Sequence, residues 1–282
     1  MSGFPMHEPH AEGAETGGPA FRRILCGVRD ERRSQEAARQ AVALALGGGV
    51  VDFVAVSGRP EPGVAGTPLS PERADLALAD ARAAAAHAAV RVTTQRIDDP
   101  SPARRLLELS AEHDLLAVGG HRHHSRAEAM VLGETAGVVL HRAAIPVLVA
   151  RAYDTDAGTP AHVLAATSAR RDDRETVRMA AELAHRYGAH LTVLHVSDHA
   201  SWEERRELES QAAAAGALYG HDPVLLREAG RPVQRILEIA HSHADTLIVT
   251  GARGQAGLAA LGSVSERVGA RARCSVLVLR DL

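Results

Sequence analysis

Two stretches of the chain resemble each other, and their repetition decides the fold. The first, DLLAVGGHRHHSRAEAMVLGETAGVVLHRAAIPVLVAR, covers residues 114–151, and the second, DTLIVTGARGQAGLAALGSVSERVGARARCSVLVLR, covers residues 245–280. Asp114 and Asp245 lie 131 positions apart, whereas the spacing falls to 129 toward the ends of the stretches, so the second copy lacks two residues. Because such a spacing equals the length of a domain, the chain is predicted to hold two copies of one domain.

Upstream of these stretches, short apolar runs alternate with helical patterns in both copies. In the first copy the runs ILCGV, VVDFVAV, VRVTT, LLAVG and IPVLVA have the length and flanking turn residues of strands. Apolar residues recur at helical spacing between the runs, for example at Ala38, Ala41, Val42 and Ala45 and at Val177, Ala180, Ala181 and Ala184. The pattern predicts an α/β fold in which each copy forms a five-stranded parallel sheet between helices, in the order β-α-β-α-β-α-β-α-β.

Composition along the chain predicts the domain boundaries. Residues 1–20 are rich in Gly, Pro, Glu and His and lack an apolar signal-peptide core, which is typical of a disordered leader. The polar segment AYDTDAGTP, residues 152–160, is predicted to be a linker, so the two domains are expected at 21–151 and 161–282.

The stretch SGRPEPGVAGTPLSP, from Ser57 to Pro71, has no equally long counterpart in the second copy. We favour a tolerated surface insertion over the alternative, a mobile flap above the strand ends. A helix is expected to begin just after Ser70, because a capping hydroxyl, a proline and Glu72 follow one another there.

Overall composition excludes several functions. The chain has 282 residues and a net charge of −3, and it contains no lysine, so all 32 basic residues are arginine. A lysine-bearing phosphate loop, a Schiff-base enzyme and a kinase are therefore excluded. The acidic balance and the 2% aromatic content argue against nucleic-acid binding, and no apolar run is long enough for a membrane span.

The two cysteines, Cys26 and Cys274, cannot form a disulfide framework, which favours a reduced, cytoplasmic protein. Cys26 lies inside the first predicted strand and Cys274 just before the last. Both are therefore expected to be small buried apolar residues and not redox centres.

The loop after the fourth strand of the second copy is rich in glycine. Gly251-Ala-Arg-Gly254 leads, after seven residues, to Gly262-Ser263 at the start of the last helix. Glycine lets the backbone approach a phosphate, and a helix N-terminus offers unpaired N–H groups, so an anion pocket without lysine is one interpretation. The other is structural, in which Gly251 ends a strand and Gly262 turns into a capped helix.

The Gly-x-x-Gly loop, the Gly-Ser helix start, the closing VLVLR strand and the segment ILEIAHSHADTLIVTGARG together resemble the universal stress protein family in its tandem form. The resemblance covers nearly everything from Arg22 to Leu282. It implies two Rossmann-like (adenine nucleotide alpha hydrolase-like) domains that pair through their last strands. It also implies ATP-binding and non-binding subgroups, and a role in stress responses that is more often regulatory than catalytic.

Neither copy fully matches the family's nucleotide motif, which is Gly, two residues, Gly, nine residues, Gly and then Ser or Thr. In the first copy Gly120 and Gly133 fit, but His123 replaces the second glycine, and Glu134 replaces the hydroxyl and would repel a phosphate. In the second copy the residue types are kept, yet seven residues replace nine.

The family's usual carboxylate after the first strand is also missing from the matching positions. These hold Arg29 in the first copy and Ser168 in the second, while Asp30 is one residue out of place.

His121, His123 and His124 cluster in the first copy's loop, near Arg122 and Arg126. One interpretation is that they bind an anion, or a metal ion if His141 or Glu128 folds back onto them. Consecutive loop histidines rarely converge on one ion, so we favour solvated side chains and expect no metal beyond Mg²⁺ carried with a nucleotide.

We therefore predict a non-catalytic regulatory and binding module of the stress response. Any ligand, ATP or AMP, is expected in the second domain, at Ser168, Gly251, Arg253, Gly254, Gly262, Ser263 and Val264. A weakly ATP-hydrolysing protein and a nucleotide-free scaffold for another protein are the alternatives.

The two domains are expected to pair within the chain through Ile145–Ala150 and Ser275–Leu279, whose apolar edges need covering. A homodimer of chains and an unidentified protein partner are left open.

Overall fold

The computed structural model describes residues 18, 20–29, 32–120, 132–153, 158–252 and 263–280. Strands and helices alternate through its first half as the sequence predicts. The elements are β1 (Arg23–Gly27), α1 (Arg32–Ala45), β2 (Val50–Ser57), α2 (Pro71–Ala84), β3 (Arg91–Asp98), α3 (Pro102–Ser110), β4 (Leu115–Gly119), α4 (Glu134–Arg142) and β5 (Val147–Ala150).

The second half repeats this order with one addition, a single 3-10 turn over Arg171–Asp173 before its first α-helix. The elements are β6 (His162–Thr167), α5 (Arg174–Tyr187), β7 (His190–Val196), α6 (Trp202–Tyr219), β8 (Val224–Glu228), α7 (Pro232–His241), β9 (Thr246–Ala252), α8 (Val264–Arg271) and β10 (Ser275–Arg280).

The ten strands of the described residues belong to one sheet, in the order β3-β2-β1-β4-β5-β10-β9-β6-β7-β8. Within each half the five strands are parallel, as predicted. The halves join where β5 and β10 run antiparallel, with Leu148 opposite Leu277 and Val149 opposite Val276. The apolar edges of the two closing strands are thus covered by each other, which is the pairing expected from the sequence.

The core forms a layer on each face of the sheet. On one face the helices α1, α2, α5 and α6 pack over residues such as Phe53 and Leu191. On the other face α3, α4, α7 and α8 pack over Leu116, Ile248 and their neighbours. Helices on both faces explain why the inner strands are buried along most of their length, whereas the residues of the edge strand β3 are exposed or half-buried.

Two predicted strand boundaries differ from the observed ones by more than one residue. β5 begins at Val147, so Ile145 and Pro146 lie outside it, although the carbonyl of Pro146 still accepts a bond from the amide of Leu116. β3 extends to Asp98, beyond the predicted VRVTT, because an edge strand tolerates the polar residues that follow. The predicted start of α2 is confirmed, since Ser70 caps the helix by accepting from the amide of Arg73, with Pro71 in the first turn.

Cys26 is fully buried, and burial raises the pKa of its thiol well above the usual range. Cys274 is partly exposed, so the expectation that both cysteines are buried is wrong for this one. It stands in the turn before β10, where its backbone carbonyl, and not its burial, has a structural role that is described below. No helix in the described ranges is both long and apolar enough to cross a membrane.

Candidate functional site

The strand order locates one crevice in each half. In both halves the chain moves outward in opposite directions from a central pair of parallel strands, β1 and β4 in the first half and β6 and β9 in the second. Ligands of open parallel sheets bind at the carboxyl ends of such a pair. We call these places the first crevice, beyond β1 and β4, and the second crevice, beyond β6 and β9.

Gly251 is the second-to-last residue of β9, at the second crevice and within one residue of the strand end that the structural interpretation assigns to it. A Cβ atom at this position would lie 2.9 Å from Oγ1 of Thr176 and 3.2 Å from Oδ1 of Asp173. The glycine therefore makes room for the start of α5, and it brings a carboxylate next to the end of β9.

Asp173 supplies a carboxylate that sequence reasoning missed. Its Oδ2 atom accepts a bond of 2.7 Å from the amide of Ser168 and a second bond from the Ser168 hydroxyl. Asp173 occupies the N-cap position of α5, yet its side chain does not cap that helix and is turned back to the end of β6. The residue directly after β6 is Ser168 and not an acid. Asp173, five positions later in the sequence, supplies a carboxylate at the same place in the structure. The Asp172-Asp173 pair before the helical pattern was the available signal.

Further polar groups bond to one another around the end of β6. The hydroxyl of Thr167 donates to Oε1 of Gln211 at 2.9 Å, and Nε2 of Gln211 donates to the carbonyl of Arg170 at 2.7 Å. Nδ1 of His195 donates to the carbonyl of Thr167 at 3.1 Å. Because Asp173, Gln211 and His195 are all buried, the end of β6 is a rigid polar wall of the second crevice.

Ser263 is the N-cap of α8, and its hydroxyl accepts from the amide of Glu266 at 3.2 Å. Val264 is the first residue of that helix. Since α8 connects the parallel strands β9 and β10, its N-terminus lies at the carboxyl edge of the sheet, on the side of Gly251. This capping bond agrees with the structural interpretation, in which the last helix begins at a capped end. The other N–H groups of the first turn are still available to bind an anion. Arg253, Gly254 and Gly262 lie outside the described residues.

The first crevice is built differently. A Cβ atom on Gly120 would lie 3.0 Å from Val149 and 3.1 Å from the side chain of Arg151, so close packing explains this glycine. Arg29, which stands where the family usually has an acid, donates from its guanidinium to the carbonyl of Thr67 at 2.6 Å. It thus holds the connection between β2 and α2, and Asp30 lies outside the described residues.

That connection, residues 58–70, folds over the carboxyl edge. Leu69 is 2% exposed and pairs with the end of β2 next to Ser57, while the amide of Gly66 donates to Oε2 of Glu134 at 3.0 Å. The residue that replaces the motif's hydroxyl therefore anchors the insertion at the N-terminus of α4. The favoured prediction of a plain surface insertion was incomplete, because the segment lies at the strand ends, where the alternative placed it.

A cleft of about 490 Å³ remains between this connection and α4, lined by Gly63, Val64, Ala65, Glu134, Gly137 and Val138. The carboxylate of Glu134 in its wall disfavours a phosphate. The predicted histidine cluster, His121, His123 and His124, lies outside the described residues with Arg122, Arg126 and Glu128. Within the described part of the chain, no three His, Cys, Asp or Glu side chains converge to hold a metal ion.

Removing the Glu134 carboxylate is expected to loosen the connection locally. In Glu134→Ala the amide of Gly66 loses its acceptor, so its hydrogen exchange should accelerate about tenfold, while exchange in the inner strands stays unchanged. Native-state exchange read by NMR or mass spectrometry measures this. Glu61→Ala, which removes an exposed carboxylate from the same connection, is the control, and equal acceleration in both variants would contradict the anchoring role.

Comparison with known proteins agrees with this geometry. The sequence profile of the universal stress protein family matches the chain twice, over residues 20–151 and 161–280. The chain belongs to the universal stress protein family. Its two matched regions are called domain 1 and domain 2 from here on, and the resemblance inferred from the glycine loop and the closing strands is confirmed.

Solved structures of similar architecture include two that cover nearly the whole chain. A universal stress protein from Archaeoglobus fulgidus is 20% identical, covers 92% of this chain and 98% of its own, and superposes with a TM-score of 0.71. A functionally unknown protein from Pseudomonas aeruginosa PAO1 is 20% identical, covers 93% of both chains and has a TM-score of 0.66. At this identity the likeness shows a shared tandem fold. Among curated proteins, none matches the chain in sequence.

Proposed function

We propose that this universal stress protein is a non-catalytic binding and regulatory module of the stress response. In this proposal domain 2 takes an adenine nucleotide, AMP or ATP with Mg²⁺, and domain 1 is its structural partner. One observation carries the proposal, which is the difference between the two crevices. Residues 58–70 and the Glu134 carboxylate cover the first crevice, whereas β7 connects to α6 through residues 197–201 alone.

The groups of the second crevice suit the parts of a nucleotide. N–H groups in the first turn of α8 and the positive end of its dipole suit a phosphate, and no lysine is required. Asp173 and Ser168, at the end of β6, offer oxygen atoms of the kind that accept bonds from sugar hydroxyls. Arg253, Gly254 and Gly262 complete this site in the prediction from sequence.

A matched pair of glycine substitutions tests the proposal on the full chain. Gly262 and Gly133 hold equivalent positions before the last helix of each domain, and Gly133 has a φ of −57°, which any residue can adopt. We expect one nucleotide per chain by calorimetry. Gly262→Val should weaken binding by about tenfold or more, while Gly133→Val should leave it unchanged.

A second variant addresses the carboxylate that the structure adds. Asp173→Asn keeps the size of the side chain but removes its charge and one acceptor, so weaker binding of both AMP and ATP is expected. Two nucleotides per chain, or equal losses in Gly133→Val and Gly262→Val, would overturn the assignment to domain 2.

The same experiment separates the two alternatives. Phosphate release from ATP that is lost in Gly262→Val would indicate a weak ATPase, and our proposal expects none. No heat with millimolar AMP or ATP, together with no nucleotide in the purified protein, would favour a nucleotide-free scaffold. A cytoplasmic location, a homodimer of chains and an unidentified protein partner stay predictions.

A further inference from the structure

The joint between the domains has an approximate two-fold axis. Residues of the last helix and strand of domain 1 correspond to residues 129 positions later in domain 2, so Leu148 corresponds to Leu277. These two residues face each other in the β5–β10 pair, and the axis passes between them. A fully symmetric joint would repeat each contact between the equivalent residues on the other side of the axis.

One pair of contacts obeys this symmetry. The guanidinium of Arg151 donates to the carbonyl of Gly269 in α8 at 2.6 Å, and that of Arg280 donates to the carbonyl of Leu140 in α4. Arg280 is the equivalent of Arg151, and Gly269 is the equivalent of Leu140. Such contacts would form in any pairing of the two domains, including a domain with a copy of itself.

Other contacts break the symmetry. Leu140 and Gly269 meet at equivalent positions on the axis, and a Cβ atom on Gly269 would lie only 2.7 Å from Cδ2 of Leu140. The leucine of one face thus fills the space that the glycine of the other face leaves. Nδ1 of His141 also lies 3.1 Å from Oε1 of Glu266. The equivalent of His141 is Ala270 and that of Glu266 is Gly137, so this contact is not repeated on the other side of the axis.

A domain paired with its own copy would lose this complementarity. Two domain 1 faces would bring leucine against leucine in a buried place, where Leu140 is already 3% exposed. Two domain 2 faces would bring glycine against glycine and leave a cavity, with Glu266 facing an alanine in place of His141. The hydroxyl of Ser275 bonds both the amide and the carbonyl of Arg151. The equivalent residue in domain 1 is Pro146, which has no hydroxyl to make these bonds.

We propose that the two faces are complementary and not interchangeable, so that each domain selects the other kind of domain and rejects a copy of itself. The partner that fits the α4–β5 face is therefore an α8–β10 face. The proposal concerns the joint alone and is independent of any ligand.

Exchanging the two central residues in the full chain tests the proposal. Gly269→Leu should lower the melting temperature by about 5 °C, because a second leucine does not fit. Helix propensity alone predicts the opposite sign, since leucine favours a helix more than glycine does. Leu140→Gly should also lower it, and the double exchange Leu140→Gly with Gly269→Leu should recover to within about 2 °C of the parent protein.

Gly137→Ala in α4 is the matched control, because nothing lies within 4 Å of a Cβ atom there, and it should raise the melting temperature by about 2 °C. If Gly269→Leu does not fold, a folded double exchange still supports the proposal. A rise of the melting temperature in Gly269→Leu, or a double exchange no more stable than the sum of its single variants, would overturn it.

Discussion

Replacing Arg151 by methionine is expected to lower the free energy of unfolding by about 3 kcal/mol. Arg151 is 2% exposed, and its guanidinium bonds the carbonyl of Gly269 at 2.6 Å and that of Cys274 at 3.1 Å. Methionine keeps most of the apolar stem but leaves the buried carbonyl of Gly269 and the partly buried carbonyl of Cys274 without this donor. Such groups cost their full desolvation penalty, so the loss should be large.

Arg280→Met provides the control for this prediction, because Arg280 is the equivalent residue in domain 2. Arg280 is partly exposed and donates to the carbonyl of Leu140, so we expect a loss of about 1 kcal/mol. Urea unfolding followed by both circular dichroism and fluorescence measures both variants. A loss in Arg151→Met no greater than in Arg280→Met would refute the special role of the buried guanidinium.

A buried histidine makes the stability of domain 2 dependent on pH. His162 is 3% exposed, with Nε2 at 2.9 Å from the hydroxyl of Thr192 and Nδ1 at 3.2 Å from that of Thr246. Its ring stacks on that of His243, with 4.2 Å between the centroids. Burial, followed by the charges of His243 and His190, lowers the pKa of His162 to about 3.

The sign of the effect follows from this lowered pKa. The neutral ring is favoured in the folded state, so its contribution is fully present above the unfolded pKa of about 6.5 and is lost as the pH falls toward 3. Between pH 8 and pH 5, protonation of the unfolded chain should remove about 2 kcal/mol of stability.

His162→Gln should abolish that part of the pH dependence, since glutamine does not titrate. Urea midpoints at pH 8, 6.5 and 5 measure the slope for the parent protein and the variant. His190→Gln, which changes an exposed neighbour, should keep the slope. An unchanged slope in His162→Gln would show that other groups cause the loss.

The repeat in the sequence was enough to predict the architecture. The order of elements, the parallel halves and the joint through β5 and β10 follow from the apolar runs and their spacing. A strand that is buried on both faces appears in the sequence as a short apolar run. The start of α2 was also predictable, because the Ser70 cap and Pro71 in the first turn lie next to each other in the sequence.

The site was less predictable because its groups come together only in three dimensions. Ser168 marked the expected place of the acid, but nothing in the local pattern shows that Asp173 turns its side chain away from its own helix. The bond between Glu134 and Gly66 spans 68 positions, so no periodicity reports it. The fit of Leu140 to Gly269 depends on the axis between the domains, which neither copy contains alone.

The antiparallel joint also affects how the chain folds during its synthesis. Val149 in β5 cannot pair until its partner in β10, Val276, has been synthesised. At ordinary rates of protein synthesis, the residues between these two take roughly ten seconds to make. During this interval the newly made first domain has a strand edge without its partner, and Arg151 lacks the carbonyls that its charge requires. We therefore expect the last step of folding to be the docking of the two halves, and we expect the tendency to aggregate to be highest just before that step.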